Sequence, residues 1–173
     1  FRCYSFIKFR NKKNKLMQVK TNAARILESL KIPFELKEYP INDVNLSAEH
    51  VAKSLGISAQ IIYKTLVLKG SNDPYLVVLL PGDSQLDLKK IAKVSGNKSC
   101  EMLPLNELLN VTGYIRGGCS PIGMKKKFPT YIEEIATIEP EITISAGKRG
   151  VQIVLQPKHL QQATQAIFAD LIL

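Results

Sequence analysis

Residues 61–68 have the sequence Ile-Ile-Tyr-Lys-Thr-Leu-Val-Leu, an apolar stretch rich in β-branched side chains. Such side chains pack well on a pleated surface, so the stretch predicts a strand in the middle of a sheet. Lys64 stands out, because six of its seven companions are large apolar or aromatic groups. An ammonium among such groups loses hydration, which costs several kcal/mol unless an anionic group faces it. Lys64 is therefore either a lysine whose ammonium reaches solvent past the sheet or the charged group of a binding cleft.

A second apolar stretch follows the first after a short turn. Residues 70–74, Gly-Ser-Asn-Asp-Pro, have the composition of a turn, and residues 75–80 are again strongly apolar. The two stretches therefore predict a hairpin at the centre of the sheet. Further strands are predicted at residues 34–39, 99–103, 128–132, 141–145 and 151–155, each a short segment with the pattern of a strand.

Five segments have apolar residues at the spacing of three and four that is typical of a helix. Thr21 or Asn22 is the predicted N-cap of the first, and Ser47 and Gly56 are the predicted cap residues of the second. We expect the other helices to bury these residues: Leu88, Ile91, Ala92 and Val94 in the third, Leu105, Leu108 and Leu109 after Pro104 at the N1 position of the fourth, and Leu160, Ala163, Ile167 and Leu171 after Pro157 in the last.

The length and composition are those of one globular domain. A chain of 173 residues fits a single core, and 45% hydrophobic with 23% charged residues is an ordinary balance. No stretch approaches the roughly 20 apolar residues of a membrane-spanning helix, so we expect no membrane partner. Short strands between helices, with a tight hairpin, predict the α/β class: a single domain in which helices surround a mixed, curved, barrel-like sheet.

The positive charge is concentrated at the start of the chain. Residues 1–16 contain six of the lysines and arginines and no acid, so the formal charge of +9 falls to +3 from Met17 onward. The segment has no N-cap and no clear periodicity, and it does not begin with Met. We expect residues 1–16 to be a non-native or disordered leader and residues 17–173 to form the domain. A short basic arm that binds nucleic acid is the alternative.

Cysteine and histidine are too sparse for several kinds of site. The chain has three cysteines, none in a Cys-x-x-Cys pair, and two histidines, His50 and His159, far apart in the sequence. A disulfide framework and a zinc site are therefore not expected, which agrees with a location in the reducing cytoplasm. Catalysis by a nucleophile activated by histidine has equally little support, and we expect no metal and no cofactor.

Two glycine-rich loops favour the binding cleft over the solvent-reaching lysine. Residues 117–123 are Gly-Gly-Cys-Ser-Pro-Ile-Gly, and residues 145–150 are Ser-Ala-Gly-Lys-Arg-Gly. Glycines let the backbone approach a ligand and present N–H groups to an anion or an oxyanion. Either loop could instead be a tight turn. The lysine triplet 125–127 after the first loop is either a solvated surface or a phosphate contact.

Taken together, the motifs resemble one known family. They are Tyr63-Lys64-Thr65-Leu66, residues 85–90, residues 112–114 and the two glycine-rich loops, in this order. From about Thr21 to Asp170 the chain resembles the bacterial Cys-tRNA(Pro)/Cys-tRNA(Cys) deacylases of the YbaK/EbsC type. That family is similar to the editing insertion domain of prolyl-tRNA synthetase. The resemblance implies the fold of that domain and the trans-editing of mischarged tRNA.

The resemblance also implies a reaction without a protein nucleophile. The thiol of the substrate's own cysteine attacks the aminoacyl ester, expels the 3′ hydroxyl of the tRNA and leaves a cyclic thiolactone. The implied catalytic residues are Lys64, Gly117 and Gly118. The backbone amides of the two glycines would stabilise the oxyanion. The implied substrate-binding residues are Tyr39, Thr65, Ser120, Ser145, Gly147 and Lys148. Mischarged tRNA(Pro) is the expected partner, and an association with prolyl-tRNA synthetase is a hypothesis.

Three positions depart from the family pattern. Leu46 stands where many members have an aromatic residue and Gln152 where they have an acid, which leaves the exact aminoacyl and tRNA preference open. Cys119 stands at a usually apolar position, and we expect a small buried hydrophobe rather than a nucleophile. Two alternative functions remain at this point. They are water-dependent editing of Ala-tRNA(Pro), and a non-catalytic RNA- or nucleotide-binding module in which Lys64 and the glycine loop hold phosphate.

Overall fold

The computed structural model describes residues 20–41 and 44–173, so the prediction for residues 1–16 lies outside the described part. That part contains five α-helices and eight strands. The helices are α1 (Asn22–Ser29), α2 (Ala48–Leu55), α3 (Leu88–Ser95), α4 (Leu105–Thr112) and α5 (Pro157–Thr164). The strands are β1 (Glu35–Glu38), β2 (Tyr63–Gly70), β3 (Leu76–Pro81), β4 (Cys100–Met102), β5 (Thr130–Glu133), β6 (Ile142–Ser145), β7 (Val151–Leu155) and β8 (Ile167–Ala169).

The strands form two sheets. One is antiparallel with the order β1-β7-β6, and the other is mixed with the order β4-β2-β3-β5-β8. The predicted hairpin is confirmed, since β2 and β3 pair antiparallel with Lys64 opposite Leu80. A parallel bridge between Ile62 and Thr143 joins the two sheets. The mixed α/β single domain is therefore confirmed, but the barrel-like sheet is not closed, because the two sheets keep separate ladders beyond this bridge.

The β2–β3 hairpin forms core on both of its faces. Successive residues of a strand point to opposite faces, so the two sets of side chains enter different clusters. The face toward the three-stranded sheet carries Tyr63, Val77 and Leu79, which pack with Ile142, Ile144 and Ile153. The other face carries Leu68, Leu76, Val78 and Leu80, which pack with Ile91 and Leu171. Residues 76–80 are buried on both sides, which explains their continuous apolar sequence.

The first two helices begin where the cap residues predict. The Thr21 hydroxyl accepts a hydrogen bond from the Ala24 N–H at 3.2 Å, and the Ser47 hydroxyl accepts one from the His50 N–H at 3.2 Å. Gly56 ends α2 in the left-handed conformation with φ 66°. These contacts supply partners for backbone groups that a helix end leaves open.

The predicted inner faces of α3 and α4 are partly wrong. In α3, Ile91 is fully buried, but Leu88 and Val94 are 40% and 42% exposed. In α4, Leu105 and Leu109 are 61% and 52% exposed, and Thr112 is the buried residue of that helix. The Lys125 N–H donates to the Thr112 carbonyl at 3.1 Å and joins the last residue of α4 to the segment after the first glycine loop, whereas Leu105 and Leu109 remain exposed. Pro104 lies one position earlier than predicted, as the N-cap of α4.

The last predicted helix is shorter than expected. It ends at Thr164, and Gln165 follows in the left-handed conformation with φ 56°. Residues 167–169 form β8, which pairs parallel with β5. Ile167 is 55% exposed, whereas Leu171 is fully buried in the core beside α3. The pairing with β5 therefore overrides the helical spacing of the apolar residues.

Candidate functional site

A pocket of about 140 Å³ lies at the junction of the two sheets. The start of β2, the ends of β1 and β6, the start of β7, α2 and both glycine-rich loops contribute to its walls. Five of the residues predicted for the site line it: Tyr39, Lys64, Thr65, Gly117 and Ser145. The predicted convergence of Lys64 and the two loops on one pocket is confirmed.

Lys64 is half-buried and held by backbone carbonyls. Its ammonium donates to the carbonyl oxygens of Ser84 at 2.6 Å and Gly82 at 3.2 Å. Burial lowers the pKa of Lys64 below its usual value, and the carboxylates of Glu49 and Asp83 act in the opposite direction. A lysine ammonium has three N–H donors, so the two carbonyls leave one donor for a ligand in the pocket.

The position of these carbonyls depends on the close approach of Gly82 to α2. A Cβ at Gly82 would collide with the Cβ of Ala48, so only glycine fits there. The Gly82 N–H also donates to the Ile62 carbonyl at 2.7 Å. The loop after β3 is thus fixed at the start of β2, where it fixes the ammonium of Lys64.

The first glycine loop opens with a tight turn. The Gly118 N–H donates to the Ile115 carbonyl at 3.0 Å, and Gly117 has φ 82°, which is the arrangement of a type II turn with glycine at its third position. The expected oxyanion donor at Gly118 is therefore already engaged, and Gly118 does not line the pocket. Gly117 and Cys119 do line it, and neither of their N–H groups donates to any described residue. These two amides are the donors that the loop can offer to a ligand.

The two glycine-rich loops contact each other directly. The Arg149 Nε donates to the Arg116 carbonyl at 2.9 Å. A Cβ at Gly118 would lie 3.2 Å from the backbone nitrogen of Arg149, and a Cβ at Gly117 would lie 3.1 Å from a methyl group of Leu46. Gly117 and Gly118 thus lie where the first loop packs closely against Leu46 and Arg149, which are distant in the sequence.

The second loop contributes Ser145 but not all the residues predicted from it. The Ser145 hydroxyl accepts a hydrogen bond from the Gly147 N–H at 3.2 Å and lines the pocket. Gly147 itself packs against the Tyr114 ring, and Lys148 is exposed outside the pocket. Ser120 is fully buried, and its hydroxyl accepts from the Ile122 N–H at 3.2 Å. The positions of Ser120, Gly147 and Lys148 thus fit a role in shaping the loops and do not support direct substrate contact.

Two hydroxyl groups in this region are buried without a partner. The Thr65 Oγ1 and the Tyr63 hydroxyl have no hydrogen bond within the described chain, and both residues line the pocket. Burial raises the pKa of the Tyr63 hydroxyl, and the negative charge of Glu133 adds a smaller effect in the same direction. Buried hydroxyl groups are nearly always paired in proteins, so Thr65 has hydrogen-bonding capacity for a bound ligand. At the rim, the Tyr39 N–H donates to the Gly150 carbonyl at 2.9 Å and ties β1 to the second loop.

The pocket contains no activated protein nucleophile among its described residues. Its thiol, Cys119, is half-buried, and burial raises its pKa to about 12, with a smaller opposing effect from a hydrogen bond with Thr112. The thiol is therefore protonated at neutral pH, where only a thiolate would be nucleophilic. No histidine lines the pocket, and within residues 20–41 and 44–173 no cluster of three metal-ligating side chains occurs.

Other pocket residues were not among the predicted site residues. Arg149 lies in the Lys-Arg-Gly turn, and Gln152 is buried on β7 opposite Ser145. Strand alternation places Gln152 on the same face as Val154, but only the register with β6 shows that it faces the pocket. Asn45 and Leu46 come from the segment before α2, which has no motif of its own.

Comparison with known proteins identifies the family. Residues 45–163 match the model of the aminoacyl-tRNA editing domain. The chain belongs to the aminoacyl-tRNA editing domain family. Lys64, both glycine-rich loops and Gln152 lie inside the matched region, whereas Tyr39 and Ile41, which follow β1, complete the pocket from outside it. The resemblance seen in the motifs is thus confirmed.

Individual members of the editing-domain family agree with this assignment. EbsC of Enterococcus faecalis, named as a candidate Cys-tRNA(Pro)/Cys-tRNA(Cys) deacylase, is 52% identical over 157 residues, which are 91% of this chain and 96% of EbsC. The proline–tRNA ligase of Thermosipho africanus is 34% identical over 80 residues, which are 46% of this chain and 14% of the ligase. The solved structure of a candidate trans-editing enzyme for prolyl-tRNA synthetase has a TM-score of 0.77 at 26% identity and covers 89% of this chain and 99% of that protein.

In the described residues, no helix has the length and apolar character needed to cross a membrane.

Proposed function

We propose that this editing domain removes cysteine in trans from mischarged Cys-tRNA(Pro), and also from Cys-tRNA(Cys), with the substrate's own thiol as the nucleophile. The observation that carries the proposal is the composition of the pocket. It offers the Lys64 ammonium, the Gly117 and Cys119 amides and the partnerless Thr65 hydroxyl, but its thiol is protonated and it has no histidine among the described residues. Such a pocket can position and polarise an ester, and the bond-forming atom must come with the substrate.

The reaction balances without any added reactant. The cysteine sulfur forms a bond to its own carbonyl carbon, the bond from that carbon to the 3′ oxygen of the tRNA breaks, and the thiol proton ends on the 3′ oxygen. The products are free tRNA and a cyclic thiolactone. Holding the thiol against the carbonyl converts the attack into a well-oriented intramolecular step, which can supply several kcal/mol of the barrier.

Four residues of the pocket have defined tasks in this scheme. The free N–H of Lys64 binds the ester or the departing oxygen, where negative charge develops. The Gly117 and Cys119 amides stabilise the oxyanion, and Thr65 Oγ1 binds a polar atom of the aminoacyl group. The pocket volume of about 140 Å³ is well below the roughly 300–1,000 Å³ of drug-sized sites. A small amino acid fits such a volume.

The apolar wall sets the choice among small amino acids. Leu46, Val51 and Ile62 line one side of the pocket, and no described carboxylate lines it. A polarisable thiol packs well on such a surface, whereas a hydroxyl group loses hydration there. We infer from this a preference for cysteine over serine that adds to the chemical difference between the two nucleophiles.

The test is a comparison of three purified substrates: cysteinyl-, seryl- and alanyl-tRNA(Pro). Serine is nearly isosteric with cysteine but a poor nucleophile, and alanine has none. We expect rapid deacylation of the cysteinyl substrate, release of the thiolactone detected by mass spectrometry, and little reaction with the other two. Comparable rates on seryl- or alanyl-tRNA(Pro) would show that water is the nucleophile. Binding of all three without hydrolysis would instead indicate a non-catalytic RNA-binding module.

The recognition of the tRNA body is a further part of the proposal. The formal charge of +3 outside residues 1–16 gives only modest attraction for phosphate. We therefore propose that prolyl-tRNA synthetase assists by delivering the mischarged tRNA, in the cytoplasm where translation occurs. A pull-down of prolyl-tRNA synthetase with and without tRNA(Pro) tests this, and no association under either condition would contradict it.

A further inference from the structure

A second cavity lies on the other side of the first glycine loop. We call it the rear cavity; it has a volume of about 400 Å³ and lies between α1, α5 and residues 121–128. Residues 121–123 form one wall of it, and in the sequence only Ser120 separates them from Cys119, which lines the Lys64 pocket. Its volume is within the range of small-ligand sites and is nearly three times that of the Lys64 pocket.

The inner surface of the rear cavity is apolar and partly aromatic. Ile122 and Val77 are almost fully buried beneath it, and Met124 and Phe128 are half-buried. The Phe128 ring is held by an edge-to-face contact with Tyr75, with the ring centroids 5.6 Å apart. A fixed aromatic wall of this kind suits a planar apolar group.

The mouth of the rear cavity carries two unbalanced cations. Lys126 and Lys127 line it, and neither forms an ion pair with any described residue. No carboxylate lines the cavity within residues 20–41 and 44–173. The third lysine of the triplet is different, because the ammonium of Lys125 donates to the Asn110 carbonyl at 3.2 Å and lies outside the cavity. Two exposed ammonium groups over an apolar interior favour a ligand that is both planar and anionic.

Two side-chain amides supply hydrogen-bonding groups at the same cavity. Gln162 and Gln165 line it, and neither amide is bonded to another described residue. Gln165 occupies the left-handed position after α5, with φ 56°, where glycine is the favoured residue. The chain thus has a strained glutamine at a place where glycine would relieve the strain. An amide offers both a donor and an acceptor, which matches the edge of a nucleobase.

We propose that the rear cavity binds one nucleotide of the substrate's single-stranded 3′ end. The base packs on the Phe128 side and is hydrogen-bonded by Gln162 and Gln165, and the phosphate lies between Lys126 and Lys127. Proteins usually bind single strands by stacking aromatic side chains on the bases and placing cationic side chains along the phosphate backbone. Gly117 and Gly123 are six residues apart, so at most about 21 Å of chain separates the two sites, a distance that a few unstacked nucleotides bridge. This inference rests on the proposed function for the identity of the strand.

The test measures binding of a 5′-labelled RNA pentamer that ends in CCA, by fluorescence anisotropy at several salt concentrations. The variant carries Lys126→Gln and Lys127→Gln together, and Lys125→Gln is the matched control from the same triplet. We expect the double variant to bind about tenfold more weakly and to lower the slope of log K against log salt by about 0.7, the contribution of the one single-strand phosphate that the two lysines hold. Lys125→Gln should leave the affinity within about twofold of wild type. Equal losses in both variants, or no binding by the wild-type protein, would overturn the proposal.

A second variant separates the ligand site from stability. Gln165→Gly relieves the left-handed strain, so it should raise Tm, and we expect it nevertheless to weaken pentamer binding several-fold. Unchanged binding would show that Gln165 is not part of the site.

Cytidine 5′-monophosphate tests the source of the ligand. Displacement of the pentamer by this nucleotide supports a shared site, whereas binding of the nucleotide by a protein that does not bind the pentamer would overturn the assignment to the tRNA strand.

The outcome can be distinguished from failure of the proposed function. In deacylation of Cys-tRNA(Pro), Lys126→Gln with Lys127→Gln should raise KM about tenfold with kcat unchanged. If wild type bound the pentamer through these lysines but hydrolysed no aminoacyl-tRNA, the proposed function would fail and the rear cavity would stand.

Discussion

Two charged side chains lie inside the molecule, one at the start of β2 and one at the end of β5. They differ in how completely their hydrogen-bonding groups are paired. Glu133, at the end of β5, is 3% exposed, and its two oxygens accept hydrogen bonds from the N–H groups of Leu171 at 2.7 Å and Ile135 at 3.3 Å. Lys64, near the start of β2, is only half-buried, and two carbonyls leave one of its donors open to a pocket. The saturated charge serves the fold, and the partly satisfied charge serves a ligand.

The largest effect is expected from removing the open charge. Lys64→Ala should lower deacylation of Cys-tRNA(Pro) on the order of 10³-fold, about 4 kcal/mol, as for loss of a preorganised electrostatic group. Its stability should change little, because the burial of the ammonium is already unfavourable. Single-turnover deacylation and thermal unfolding of the same sample check both parts. A wild-type rate of deacylation in this variant would contradict the role assigned to Lys64.

The opposite pattern is expected for the saturated charge. Glu133→Ala leaves two backbone N–H groups without acceptors, which should cost about 3 kcal/mol of unfolding free energy and lower Tm by about 6–12 °C. The folded fraction should deacylate at the wild-type rate. Thermal and denaturant unfolding measure the loss, with Glu134→Ala at the exposed neighbouring position as the control. A folded Glu133→Ala protein with a reduced kcat would contradict the assignment of Glu133 to stability alone.

A smaller effect tests the loop that faces Lys64. Gly117→Ala places a methyl group 3.1 Å from Leu46 and 3.3 Å from Arg149 Nε at φ 82°, so the loop must shift and activity should fall about tenfold. Gly96→Ala is a matched control. Gly96 has φ 73° with no atom near a new Cβ, so the same left-handed strain arises away from the pocket. Gly96→Ala should lose stability through the left-handed strain alone and Gly117→Ala through strain and the contacts together, and only Gly117→Ala should lose activity; equal activity in the two would contradict the role of Gly117.

The environment of Lys64 also predicts the order in which lysines titrate. Burial lowers the pKa of Lys64, whereas hydrogen bonds to Glu107 and Asp170 raise the pKa of Lys69 and Lys90. Folding therefore disfavours the Lys64 ammonium. This penalty on stability is complete below the folded pKa and disappears as pH rises to the unfolded pKa of 10.5. Activity that needs the ammonium should fall in the same window.

Nuclear magnetic resonance of ¹³C-methylated lysines measures this order. The Lys64 signal, assigned by its loss in Lys64→Ala, should titrate at lower pH than those of Lys69 and Lys90. Titration of Lys64 together with or after the other two would show that its ammonium is not desolvated.

The smallest effect is expected at Cys119, the thiol of the Lys64 pocket. Cys119→Ser should keep deacylation within about twofold, because burial raises the pKa of this thiol to about 12 and leaves it protonated at neutral pH. Steady-state rates on Cys-tRNA(Pro) are the measurement. An inactive Cys119→Ser enzyme that remains folded would place the nucleophile in the protein and not in the substrate.

Local signals in the sequence were enough for most of the elements. The Ser47 and Gly56 caps, the turn at residues 70–74 and the apolar stretches around it each specify their structure through contacts within a few residues. The errors lie where a distant contact decides. The helical spacing of Ile167 and Leu171 gives way to pairing of β8 with β5, and Leu105 and Leu109 are exposed because α4 attaches through Thr112.

The sequence by itself determined the family, the central hairpin and the presence of a lysine that is out of place among apolar residues. Only the tertiary structure decided that Gly117 and Cys119, and not Gly118, have free amides, because that depends on which N–H closes the turn at Ile115. The same holds for Gln152 and Arg149, which reach the pocket through strand register and contact between loops. A pattern along the chain records the local conformation of each residue, whereas a binding site is defined by atoms that come together from distant parts of it.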